Sequence, residues 1–215
     1  MPKKSFVGND KLSIWNAVKH TDPKYVKEVP MGRRTFSAID GQYQIEQATI
    51  LWGPYGSTWG MRDLKFETVE VPGMSRDGAY KQTRVTLHCV FFYPRQSEEC
   101  SFEIINDIEW KGDDTLKRLQ TNTRSKALSW LGFGNDVFSN KHADQLFVKD
   151  LETRFGEDNA AFVNILSKIR VAKTKKQLSA YKGRLTQMIA EQTLSVLNGE
   201  QLLAACDDRL AEIDE

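Results

Sequence analysis

Between Leu64 and Trp110 three stretches are rich in β-branched and aromatic residues: "LKFETVEV", "YKQTRVTLHCVFFYP" and "CSFEIINDIEW". Only the loop "PGMSRDG" and the polar turn "RQSEE" separate them. Connections this short cannot carry a parallel crossover, which takes a dozen residues or more, so the three stretches predict an antiparallel meander. The first alternates with a period of two, as a strand with two unlike faces does.

The flanking segments complete the order of elements. "NDKLSIWNAVKHTDP" has a weak helical pattern through Leu12, Trp15 and Val18, stopped by Pro23. "KYVKEV" and "RTFSAI" around "PMGR" predict a hairpin with Gly32 in its turn. Asp40 is placed to cap a helix through "GQYQIEQATILW", which Gly53-Pro54 ends. After the meander comes the helix of "DDTLKRLQTNTRSKALSWLGFGNDVFSN", Asp113 to Asn140. The chain then turns helical in blocks: "HADQLFVKDLETRFG", "DNAAFVNILSKIRVAK", "TKKQLSAYKGRLTQMIAEQTLSVLN" and "GEQLLAACDDRLAEIDE". The expected class is α+β, with a hairpin, helix, three-stranded antiparallel sheet and helix forming a core over residues 1–150. A helical C-terminal lobe occupies residues 151–215.

The 215 residues are 40% hydrophobic and 27% charged, a composition that folds and is far from the disordered class. The formal charge of +1 gives no bulk argument for a polyanion partner, so any such site must come from local segregation of charge. No apolar run approaches the roughly 20 residues that span a bilayer, and "MPKKSFVGND" lacks the apolar stretch of a signal peptide. These features predict a soluble cytoplasmic protein without a membrane partner. Cys89, Cys100 and Cys206 are odd in number and widely spaced, which predicts free thiols.

Charge is segregated on the helix after the meander. Placing Leu116 to Leu131 at about 100° per residue gathers Leu116, Leu119, Thr123, Ala127, Trp130 and Leu131 on one predicted core face. Lys117, Arg118 and Arg124 fall on the opposite side, with Lys126 at its margin and Leu128 out of place. Cations spaced by hydroxyl and amide groups suit a chain of phosphates, because each contact releases a condensed counterion. A solvated outer face is the competing reading. Gly132 suits the left-handed position that ends a helix, and Phe133 and Phe138 are expected in the core, with stacking on bases as the competing reading.

Other chemistry finds less support. "GPYGSTWG" lacks the Gly-Lys-Ser/Thr ending of a nucleotide-binding loop and reads as a helix-to-strand turn. His20, His88 and His142 lack metal spacing, and no cofactor motif is present. Asp107, Glu109 and Asp114 are the one acidic set with which a metal-dependent nuclease could work, although Asp113 and Asp114 also fit the capping turn of the helix. A DNA-free oligomeric structural protein is a further alternative.

"KRLQTNTRSKALSWLGFGNDVF" resembles the helix and glycine motif of phage single-strand annealing proteins of the Sak and Erf type. These are similar in turn to the eukaryotic annealing protein of double-strand-break repair. The matching positions are Thr121, Ser125 and Lys126, Ala127 and Leu128, then Leu131 and Gly132. Ser125 stands where the family has a first cation, so Lys126 carries over as a DNA contact and Arg124 stands in from one residue away. "DPKYVKEVPMGRRTFSAIDGQYQIEQATILWGPYGSTWG" resembles the family's hairpin, helix and turn, with Tyr43 near a DNA-contacting arginine of the eukaryotic relative.

The resemblance covers about residues 20–142. It implies a non-enzymatic protein that binds single-stranded DNA and anneals complementary strands in recombination, assembled as a ring or filament. Lys117, Arg118, Arg124 and Lys126, with Arg33 and Arg34 of the hairpin, would hold phosphates, and Tyr43 would stack on a base. The implied partners are single-stranded DNA, the annealed duplex and further copies of the chain. A single-strand binding protein or an exonuclease would join them, in the bacterial host cytoplasm if the gene is phage-encoded.

Overall fold

The computed structural model describes residues 11–75, 78–96 and 98–214, without the side chains of Met31, Arg34, Met74, Ser75 and Asp214. The N-terminal "MPKKSFVGND" lies outside the described residues. The fold is mixed α+β, and its elements follow the expected order. Two compact units compose it: Trp52–Leu131, and residues 11–51 with 132–214. This division differs from the expected 1–150 and 151–215, because the hairpin and nearly all of the helix after it group with the C-terminal helices.

The first unit is a three-stranded antiparallel sheet with one helix. β1 (Val26–Met31) and β2 (Arg34–Ile39) belong to the second unit, so the sheet consists of β3 (Gly60–Ser75), β4 (Gly78–Arg95) and β5 (Glu98–Glu109) in the order β3-β4-β5. Val85, Leu87, Cys89 and Phe91 alternate along β4 and are all buried, which sets the inner face. Their register partners on β5 include Ile104 opposite Cys89 and Phe102 opposite Phe91. Each fully buried Leu or Phe on this face is worth about 1.5–3 kcal/mol. A register shift between Arg62 and Lys65 places Asp63 at φ 55°. The strands are longer than the expected loop allowed: Pro72 and Gly73 pair with Lys81 and Tyr80. β5 stops opposite Arg84, so the outer parts of β3 and β4 form a two-stranded arm.

The second unit holds α1 (Ser13–Val18), the β1–β2 hairpin, α2 (Gly41–Trp52, whose last residue lies in the first unit) and α4 (Asn135–Phe138), followed by α5 (Gln145–Arg170), α6 (Lys175–Ala190) and α7 (Val196–Asp214). The hairpin pairs Val26 with Ile39 through Met31 with Arg34 around a two-residue turn. Asp40 starts α2 as expected, its carboxylate accepting from Gln42 N–H at 2.8 Å. That bond, with Lys27 beside it, holds the Asp40 carboxyl below its ordinary range.

Two helical blocks expected around Gly156 are one 26-residue helix, α5, and the boundary expected at Gly199 falls earlier, between Ala190 and Val196. Gly199 instead lies inside α7, where a Cβ would stand 2.4 Å from Ile189 Cδ1. Ile169, Leu178, Leu185, Leu194, Leu202 and Cys206 form the core of α5, α6 and α7. Among the described residues no helix is long and apolar enough to cross a membrane.

Candidate nucleic-acid interface

α3 (Thr115–Trp130) packs on the sheet of the first unit through Thr115, Leu119, Thr123 and Ala127, an i, i+4 stripe that is fully buried. Thr123 satisfies its hydroxyl by donating to Leu119 C=O at 2.7 Å. The helical projection requires three corrections. Leu116 is 37% exposed and Trp130 53% exposed, whereas Leu128, out of place on the predicted face, is completely buried. Ala127 and Leu128 differ by about 100° around the axis, so the last turn of α3 is enclosed over a wider arc than one stripe. Asp114 precedes the helix but its side chain makes no capping bond; the turn is closed by Lys111 N–H donating to Thr115 Oγ1 at 2.9 Å.

This packing divides the four predicted cations into two pairs. Lys117 and Arg118, on the first turn, are exposed and make no ion pair among the described residues. Arg124 and Lys126 are half-buried and engaged. The Arg124 guanidinium lies 5.7 Å from the Tyr55 ring centroid. Lys126 Nζ donates to Ile105 C=O at 3.0 Å and stands 5.9 Å from the Trp130 ring. Lys117 and Arg124 are seven residues apart, almost two whole turns, and so lie on one side of α3 about 10 Å apart along its axis.

Tyr55 and Trp130 were not among the predicted contacts. Both are large aromatic rings left open to solvent, Tyr55 at 43%, and each carries a cation at its face. Trp130 is held from one side by Phe102, with ring centroids 5.4 Å apart. The signal for Trp130 in the sequence was its place four residues after Lys126 in "KALSW", whereas Tyr55, 69 positions before Arg124 in "GPYGSTWG", carried none. Trp59 of the same turn is buried, its indole N–H donating to Gly53 C=O at 2.8 Å.

The remaining predicted residues belong to the second unit. Arg33 is exposed in the hairpin turn, and the Arg34 side chain lies outside the described set. Tyr43 does not present a stacking face: it is buried on α2 and its ring lies 4.1 Å from that of Tyr25, nearly parallel. Burial pushes its hydroxyl well above the ordinary tyrosine value. Phe133 is buried as expected, but Phe138 is exposed.

The acidic set of the nuclease alternative is not assembled. Asp107 pairs with Arg84, Glu109 pairs with Lys111 at 2.8 Å, and Asp114, at the start of α3, makes no ion pair among the described residues. Among the described residues no three His, Cys, Asp or Glu side chains gather to hold a metal ion. Cys89, Cys100 and Cys206 are free, and burial raises the thiols of Cys89 and Cys206 above their ordinary value. Compared with known protein families and with curated proteins, the chain matches none.

Proposed function

We propose that this protein binds single-stranded DNA and promotes its annealing to a complementary strand, without covalent chemistry. The observation that carries the reading is the set of cations on α3: Lys117 and Arg118 make no ion pair among the described residues, and Arg124 and Lys126, on its two flanks, each lie against an exposed aromatic ring. No acid interrupts the sequence from Thr115 to Asn135. Lys117 and Arg118 neutralise phosphates, and Arg124 with Tyr55 and Lys126 with Trp130 offer a cation and a stacking face together. Contacts to the backbone and to base faces leave the pairing edges free, so the second strand supplies the specificity.

Assembly into a homo-oligomer is part of the same reading. β3 is an outer strand of 16 residues in the order β3-β4-β5 of the described strands, with Leu64, Phe66 and Val69 exposed along it. A net charge of +1 does little to hold copies apart.

The test is binding of a fluorescent oligothymidylate of several tens of nucleotides, measured by anisotropy across a salt series. Replacing Lys117→Gln and Arg118→Gln together is expected to lower the slope of log affinity against log salt by about 0.7 per contact, roughly 1.4 in all. Annealing of complementary strands is expected to proceed in EDTA with no cleavage. An unchanged slope in the double variant removes α3 as the DNA surface, and magnesium-dependent loss of the strand returns the nuclease reading.

A further inference from the structure

Charge is segregated a second time, in the C-terminal helices. From Asn159 to Ala190 there are seven Lys or Arg residues and no Asp or Glu, so the remaining 23 cations of the chain stand against all 29 acids. Lys182 is paired with Asp207 of α7. Lys168, Arg170, Lys173, Lys176 and Arg184 are exposed and make no ion pair among the described residues. That is five free cations, against the two at the start of α3.

The stability of the helices does not account for all of these positions. Lys168 and Arg170 close α5, where the helix dipole favours cations. Lys176 lies in the first turn of α6, where the dipole opposes them and where no acid is present to compensate. Lys176 and Arg184 are eight residues apart, about 12 Å along the same helix. Beside Arg184, and on another side of α6 from Lys176, α5 and α6 border a hollow of about 290 Å³, walled by Ala161, Ile165, Leu185, Met188 and the Tyr181 ring. Lys168 from one helix and Arg184 from the other also line it.

We infer that the hollow between α5 and α6 is a second site for single-stranded DNA, with phosphates on Lys168 and Arg184 and a base received beside Tyr181. The inference rests on the proposed function for the identity of the polyanion. Uniform positive charge with no interspersed acid matches a ligand of uniform negative charge, and a phosphodiester strand is one. An acidic peptide meets the same cations, but its backbone N–H and C=O groups need partners that apolar walls do not supply. A base stacks by its face and keeps its polar edges outward.

The experiment uses the full chain carrying Lys168→Gln and Arg184→Gln, with the Lys117→Gln, Arg118→Gln variant in parallel and thermal melting as the check on folding. The salt slope for a labelled oligothymidylate is expected to fall by about 0.7 per contact, roughly 1.4 for the two. Because the variant relieves like-charge repulsion it should fold. Independently of any variant, an iododeoxyuridine oligonucleotide photocrosslinked to the unaltered protein is expected to label the peptide that contains Tyr181. An unchanged slope and no label there overturn this surface while leaving the α3 reading intact if its own variant responds. Failure of the unaltered protein to bind the oligonucleotide at low salt overturns both. Binding of oligoglutamate that the two substitutions abolish, with the DNA slope unchanged, overturns the strand in favour of an acidic peptide.

Discussion

Asp136 accepts two hydrogen bonds from Thr21, one from its backbone N–H and one from its hydroxyl, each at 2.8 Å and across 115 positions of sequence. Both residues are buried. Val137 N–H and His142 Nε2 complete the shell at 2.9 and 3.1 Å. The turn that follows α3 is thereby fastened to the end of α1, where Gly134 N–H and Asp136 N–H also donate to the Val18 and Lys19 carbonyls. Removing one partner strands a buried carboxylate, whereas keeping its shape isolates the hydrogen bond.

Thr21→Val therefore removes one hydroxyl donor at nearly constant volume and is expected to cost about 1–3 kcal/mol. Asp136→Ala orphans the Thr21 hydroxyl and N–H together and should cost more than Thr21→Val. Thermal melting reads both, since roughly 2–4 °C is lost per kcal/mol in a chain of this size. Equal melting temperatures for the two variants and the unaltered protein would show that the fastening is not needed.

The same cluster gives a pH dependence. Burial lowers His20 below its ordinary 6.5; Asp136, 4.0 Å from Nδ1, opposes this, while Arg154, Lys19 and Lys141 reinforce it. The unfolded chain thus binds the proton more readily than the folded one in the window below 6.5. The contribution is present above that value and is lost as pH falls through the folded-state value. His20→Gln is expected to flatten the fall of stability on acidification from about pH 7 to 5, measured by urea denaturation at each pH. An identical slope in the variant rules His20 out as a source.

Glycines at the α3–α4 junction and inside α5 are expected to respond in opposite directions. Gly132 has φ 103°, and a Cβ there would meet the Trp15 ring at 2.8 Å and its Cα at 3.0 Å; Gly134 has φ 70° and meets Ile39 Cδ1 at 2.8 Å. Gly132→Ala combines a left-handed backbone with an overpacked contact, for a loss of about 2–4 kcal/mol. Gly156, inside α5 with open space around it, is different. Gly156→Ala should stabilise by up to about 1 kcal/mol. Chemical denaturation of the two variants side by side decides it, and a neutral Gly132→Ala would contradict the packing against Trp15.

The order of elements was legible because β4 alternates at Val85, Leu87, Cys89 and Phe91, and because Asp40 and Gly53-Pro54 bracket α2 with local chemistry. What the sequence hid was set by long-range partners. Leu128 and Trp130 exchanged their expected environments because an angular projection knows one covering face, whereas the end of α3 is enclosed more widely. Gln44 and Gln47 are polar yet buried on α2, and Asp136 is buried because Thr21 and His142 reach it. Gly156 reads as a break only by propensity, and the 26-residue helix around it overrides that weak preference. At the candidate site the cations were legible as charge, but which of them were free depended on Tyr55, Ile105 and Trp130.

Those aromatic neighbours supply the last prediction. Tyr55 and Trp130 are exposed, so a packing role and a stacking role separate on substitution. Tyr55→Leu and Trp130→Leu keep apolar bulk and should shift stability little, as exposed positions usually change it by about 0.5 kcal/mol or less. If each ring stacks on a base, each substitution costs about 1–3 kcal/mol of binding, a loss of roughly 5- to 150-fold in affinity for the oligothymidylate. The salt slope should stay put, because no phosphate contact is removed, in contrast to the Lys117→Gln, Arg118→Gln variant. Anisotropy at two salt concentrations distinguishes the cases. Unchanged affinity in both leucine variants would mean that the rings serve only to hold Arg124 and Lys126 in place, and that the strand is bound through its phosphates alone.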